Sequence, residues 1–135
     1  MRRLPIPISE LAEAGAMKRD WELVRKILTQ IEELDSSERS LKPSALEGYT
    51  SGVVSYHMSL LKDAGLIEAT CSQPLSGQLQ CIATSLTWDG HEFLDKIRSD
   101  TTWGKIKSLA KTKGLDLSIE VIKNAATTVI GNAFQ

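Results

Sequence analysis

The segment from Ser51 to Ala64 carries the side chains best suited to contacting another molecule. Val54, Met58 and Leu61 recur at spacings of four and three, which places them on one inward seam of a helix. Ser51, Gly52, Ser55, Tyr56, Ser59 and Lys62 then turn outward. Their hydroxyls and lone ammonium suit phosphate oxygens and base edges. This helix has no arginine for a guanine and no asparagine or glutamine for an adenine. Ser76, Gln78 and Gln80 follow as uncharged hydrogen-bonding groups. Lys105, Lys107, Lys111 and Lys113 form the densest cationic run, suited to attracting a phosphate backbone without reading its sequence. The plainer reading of such a run is a solvated helix face.

Catalytic and metal chemistry find little support. No Ser-His-Asp order, paired-carboxylate pattern or HExxH motif stands out. Gly104-Lys105 lacks the preceding glycine and strand that a phosphate loop needs. His57 and His91 show no metal-ligand spacing, so no metal, cofactor or small-molecule substrate is expected, and no enzyme activity. His57 beside the Met58 seam reads as a partly buried histidine bonded to backbone. Trp21, Trp88 and Trp103 read as core and interface residues. Cys71 and Cys81, without a secretory signal, are expected as free thiols. A turn centred near Ser76 would set them opposite each other, but no basic neighbour is present to activate a redox switch.

The chain has 135 residues, 41% of them hydrophobic and 24% charged, which fits one globular domain with a helical appendage. Its apolar runs are too short to span a membrane, and the start lacks an apolar core of signal-peptide length. A cytoplasmic protein is expected. The net charge of −1 is unevenly spread. Residues 1–95 hold 9 Lys+Arg against 14 Asp+Glu, a balance of −5, and residues 96–135 hold 7 against 3, a balance of +4. Most compact nucleic-acid modules are basic, so the acidic portion counts against strong phosphate binding, and any electrostatic footprint lies late in the chain.

The elements that would position these residues follow from local signals. Residues 1–16, broken by Pro5, Pro7 and Gly15, read as an extension, with Met17 resembling a second start. Asp20 caps a helix to about Leu34, with Trp21, Val24, Ile27, Leu28 and Ile31 on its apolar face. Pro43 and Gly48 allow at most one helical turn around 44–47. Thr50 or Ser51 caps the next helix, and Gly65 ends it. Leu66–Cys71 and Leu79–Leu86, joined by the turn residues 74–77, read as a β-hairpin. Thr87 caps a helix through Ile97, which Asp100-Thr101-Thr102 interrupts. A basic helix from about Trp103 ends at Gly114. Asp116 caps a last helix with Ile119, Ile122, Ala126, Val129 and Ile130 on one face.

The expected fold is mainly α with a small β-hairpin, a winged helix-turn-helix with a C-terminal helical extension. Residues 1–16 form the extension, 17–99 the winged helix and 100–135 the C-terminal helices. The segments MKRDWELVRKIL, GYTSGVVSYHMSLLKDAGLI, LTWDGHEFLDKIRSDTTWGKIK and LDLSIEVIKNAA together resemble a family of small bacterial and phage proteins, the domain of unknown function numbered twenty-five thirteen. The resemblance covers about Met17 to Ala126 and implies a winged-helix fold, with no activity to carry over. Two functions remain open: a DNA-binding transcriptional regulator contacting duplex DNA, or a winged-helix adaptor for protein contacts. Burial of the last helix's apolar face would suit a homodimer through the C-terminal helices.

Overall fold

The computed structural model describes residues 18–36, 39–75 and 77–133. The chain is mainly helical, with one antiparallel hairpin. Its elements are α1 (Trp21–Glu32), a 3-10 turn (Pro43–Ala45), α2 (Ser51–Asp63), β1 (Ile67–Ser72), β2 (Gln80–Leu86), α3 (Trp88–Ile97), α4 (Asp100–Thr112) and α5 (Ile119–Ala133). The expectations for residues 1–16, the end of the first helix at Ser37 and Glu38, and the turn residue Ser76 lie outside the described residues. Among the described residues, no helix is long and apolar enough to cross a membrane. The packing divides the chain into two compact units at Gly90/His91, within α3.

In the first unit, α1 starts where Asp20 Oδ1 accepts the Glu22 and Leu23 amides at 3.0 and 3.2 Å. Its buried residues are Leu23, Val24, Ile27, Leu28 and Ile31, one face at helical period. Thr50 caps α2 by accepting the Val53 amide at 3.2 Å. Val53, Val54, His57, Met58 and Leu61 are all buried, so the expected seam faces inward. Gly65, at φ 79°, takes the left-handed turn out of α2, and Leu66 and Ile67 enter the core directly behind it.

The hairpin pairs Ile67 with Leu86, Cys71 with Cys81 and Ser72 with Gln80, with a bulge at Glu68/Ala69. Leu41 adds a bridge to the other side of β2 by exchanging both backbone hydrogen bonds with Ala83, at 2.7 and 3.0 Å. A single bridging residue is too short to leave a period-two pattern, and the sequence reading missed it.

The hairpin closes onto the exit of α2 through one side chain. Thr87 Oγ1 donates to the Gly65 carbonyl at 2.6 Å and accepts the Gly90 amide at 2.9 Å, capping α3 as expected. The Thr87 amide donates to the Leu66 carbonyl at 3.0 Å. A Cβ on Gly90 would overlap that same carbonyl oxygen, so glycine is required by close backbone approach.

In the second unit, α4 begins earlier than the sequence suggested. Ser99, not a break at Asp100–Thr102, marks its start: the Ser99 hydroxyl accepts the Thr102 amide at 3.2 Å, and Asp100 sits in the first turn. Likewise Ser118, rather than Asp116, caps α5 by accepting the Val121 amide at 3.1 Å. Trp103, Ile106 and Ala110 of α4 are buried, as are Ile122, Ala125 and Ala126 of α5. Ile119 and Val129 are half-buried and Ile130 is 40% exposed, so the α5 stripe is only partly covered. Of the tryptophans expected in core and interface positions, Trp103 is core, whereas Trp88 is 80% exposed.

Candidate nucleic-acid interface

α2 presents less of itself to solvent than its sequence suggested. Ser51 and Lys62 are exposed, and Gly52, Tyr56, Ser59 and Leu60 are half-buried beside the exposed Asp63. The Ser59 hydroxyl donates to the Tyr56 carbonyl at 2.7 Å and so is already engaged within the helix. Ser55 overturns its expectation: it is 1% exposed, and its hydroxyl accepts the Cys81 amide at 3.1 Å. The physical reason is a second packing face. Helical spacing of apolar residues located the seam against the helices, whereas the hairpin lies against α2 from another side, where a small polar residue is accommodated by one hydrogen bond.

The cysteines also depart from the reading as free thiols. Cys71 and Cys81 form a disulfide, with Cα atoms 4.1 Å apart. The register sets them directly opposite on one face of the hairpin, so proximity decides the pairing that a compartment argument did not.

His57 is 2% exposed and bonded on both ring nitrogens. Nδ1 lies 2.8 Å from the Val53 carbonyl, which only accepts, so Nδ1 carries the proton. Nε2 then accepts the Asp20 amide at 2.9 Å. The ring ties the start of α1 to α2 and is used in full by backbone, in keeping with the structural role expected for it.

Beside α2 and the hairpin lies a groove of about 340 Å³, lined by Lys42, Pro43, Ser44, Ser51, Ser55, Thr70, Ser72, Gln78, Leu79, Gln80, Cys81 and Ile82. Gln78 lies over α2 at Gly52, with Oε1 3.1 Å from where a Cβ there would stand. The structure therefore brings Ser51 and Gln78 together with Lys42, Ser44 and Gln80. Lys42 and Ser44 were not singled out in the sequence; the bridge at Leu41 that positions them leaves no periodic signal.

The four expected lysines lie on or just after α4, and all are exposed. Lys107 and Lys111, four residues apart, share one flank. Lys105 and Lys113 each stand two residues from that pair, turned roughly 160° away at about 100° per residue. They thus surround the helix instead of forming one stripe. Lys107 Nζ stands 5.6 Å from the centre of the Trp103 ring, within cation–π range. Among the described residues no cluster of His, Cys, Asp or Glu is arranged to hold a metal ion.

The chain belongs to the family described as hypothetical protein (DUF2513), whose model matches residues 18–116. It is 48% identical over 114 residues to an uncharacterized protein of Haemophilus influenzae, covering 84% of this chain and 96% of that relative. No solved structure matches it.

Proposed function

We propose that this protein is a winged helix-turn-helix DNA-binding protein that acts as a regulator, with α2 as the helix presented to the major groove and the β1–β2 hairpin as the wing. The observation that carries the reading is connectivity: α1, the Leu41 bridge, the 3-10 turn, α2 and then a hairpin whose second strand Leu41 pairs with. Helix, bridging strand, short helix, helix and wing is the order of a winged helix, and in helix-turn-helix proteins the second helix of the motif reads base edges. The step from fold to DNA is by analogy, and polar and cationic side chains accompany it. Ser51, Tyr56, Ser59 and Lys62 remain as polar groups on α2, and Gln78 on the wing. The lysines on α4 and at its end supply sequence-independent attraction.

A second reading, a winged-helix adaptor contacting other proteins, is favoured by the exposed indole of Trp88 and by Asp63 on the solvent side of α2. Such an aromatic is an ordinary anchor for a protein partner. Titrating the full chain with random-sequence duplex DNA across a salt series separates the two. Weak binding with a negative log–log salt slope supports DNA binding. No measurable binding at low salt leaves the adaptor reading.

A further inference from the structure

We propose that the groove beside α2 seats a backbone phosphate of duplex DNA, with Lys42 as the charged contact and Ser44, Ser51, Gln78 and Gln80 as neutral donors. The inference rests on the DNA-binding reading above and locates part of its contact surface.

Three observations converge on this groove. The first is its charge. Residues 1–95 carry an excess of five acidic groups, yet among the described residues the groove lining has an ammonium and no carboxylate. It is a locally cationic patch on an acidic segment, where a phosphate meets attraction without a facing anion. The second is donor chemistry. Lys42, Ser44, Ser51, Gln78 and Gln80 are all exposed, and each has N–H or O–H groups of the kind that hold phosphate oxygens. Leu79, Pro43 and Ile82 add apolar wall, which suits the sugar flanking the phosphate.

The third observation is that the walls are already fixed. The Leu41–Ala83 bridge holds the 42–44 wall against β2. The Ser55–Cys81 bond holds α2 against the same strand. The Cys71–Cys81 disulfide holds β1 to β2. A site formed before binding loses less ordering entropy when its ligand arrives. The volume of about 340 Å³ exceeds a lone phosphate and accommodates a sugar–phosphate unit.

The test is fluorescence anisotropy of a labelled random duplex with the full chain over a salt series, for wild type, Lys42→Gln, Ser44→Glu and the double variant Ser51→Ala with Gln78→Ala. Circular dichroism checks that each surface variant is folded. Lys42→Gln should lower the log–log salt slope by about 0.9, as expected for one lost phosphate contact. Ser44→Glu, which places a carboxylate in the groove, should weaken binding tenfold or more at low salt. The double variant should weaken binding with the slope unchanged, because it removes only neutral donors. If wild type binds and all three folded variants match it in affinity and slope, the groove assignment is overturned while DNA binding stands. If wild type itself shows no binding at the lowest salt, the DNA-binding reading falls, and this assignment falls with it.

Discussion

The Ser55 hydroxyl does for Cys81 what the Leu41 carbonyl does for Ala83. Both Cys81 and Ala83 have amides that point away from β1, and each amide is taken by a group outside the hairpin, at 3.1 and 3.0 Å. A side chain of α2 thus continues, by one further bond, a ladder that the chain at Leu41 begins. Ser55→Ala should leave the buried Cys81 amide without its acceptor and cost about 1–3 kcal/mol. Ser59→Ala removes only a half-buried bond to Tyr56 and should cost less than about 1 kcal/mol. Urea unfolding of the two variants measures the difference, and equal losses would contradict the geometry.

Gly90→Ala should be among the more damaging single-methyl changes in the chain. The new Cβ meets the Leu66 carbonyl oxygen, which is backbone and already accepts the Thr87 amide. Relief requires moving α3 or the exit of α2, at a cost of about 1–3 kcal/mol or more. Thr87→Val keeps the volume but removes the cap and the bond to Gly65, and should cost about 0.5–2 kcal/mol. Thermal unfolding of both variants checks the ranking.

His57 should be found as the Nδ1–H tautomer by imidazole-nitrogen NMR, since Val53 can only accept and the Asp20 amide can only donate. His57→Phe keeps a ring of similar breadth but leaves the Asp20 amide without its acceptor and takes the Nδ1–H donor away from the Val53 carbonyl. The expected loss is about 1–3 kcal/mol by urea unfolding. A variant as stable as wild type would show that the ring acts by volume alone.

Tyr49 holds its proton above the ordinary tyrosine value of 10.0, first through burial and then through the nearby charges of Asp20 and Glu22. A raised folded pKa means that the native state binds the proton more tightly than the unfolded chain. The stabilisation is therefore present in full below the unfolded value and is lost as pH rises through the folded one. In a Tyr56→Phe background, tyrosinate absorbance should rise at higher pH in the folded protein than in urea. Glu22→Gln should move the folded transition back toward the ordinary value.

Much of the fold was legible because particular residues carried local instructions. Gly65 announced the left-handed exit of α2, Thr87 the start of α3, and Val54, Met58 and Leu61 the inward seam. The misses have equally particular causes. Ser55 was read as outward because a helical wheel reveals one apolar face and says nothing of a hairpin packed on another. The symmetric placement of the cysteines about the turn sets them opposite each other, but the lack of a secretory signal argues for free thiols, and proximity overrides it. Asp116 competes as a cap with Ser118, two residues away and not separable by type alone, and Asp100-Thr101-Thr102 reads as an interruption although it forms the first turn of α4 behind the Ser99 cap. The groove was illegible because Lys42 and Ser44 reach it only through a one-residue bridge.

That bridge also bears on how molecules of this protein avoid one another at high concentration. β2 is flanked by β1 on one side and by Leu41 on the other, so its backbone around Ala83 offers no free row of donors and acceptors to a neighbouring chain. The outer margin of β1 is left as the place where a foreign strand could add. The exposed Glu68 brings a charge to that margin, and the bulge beside it, in which Thr84 of β2 is the extra residue between the Glu68–Ser85 and Ala69–Ala83 pairs, adds local twist. Twist and charge at a strand margin both oppose intermolecular pairing. The hairpin packed on α2 is thereby kept from becoming a template for aggregation.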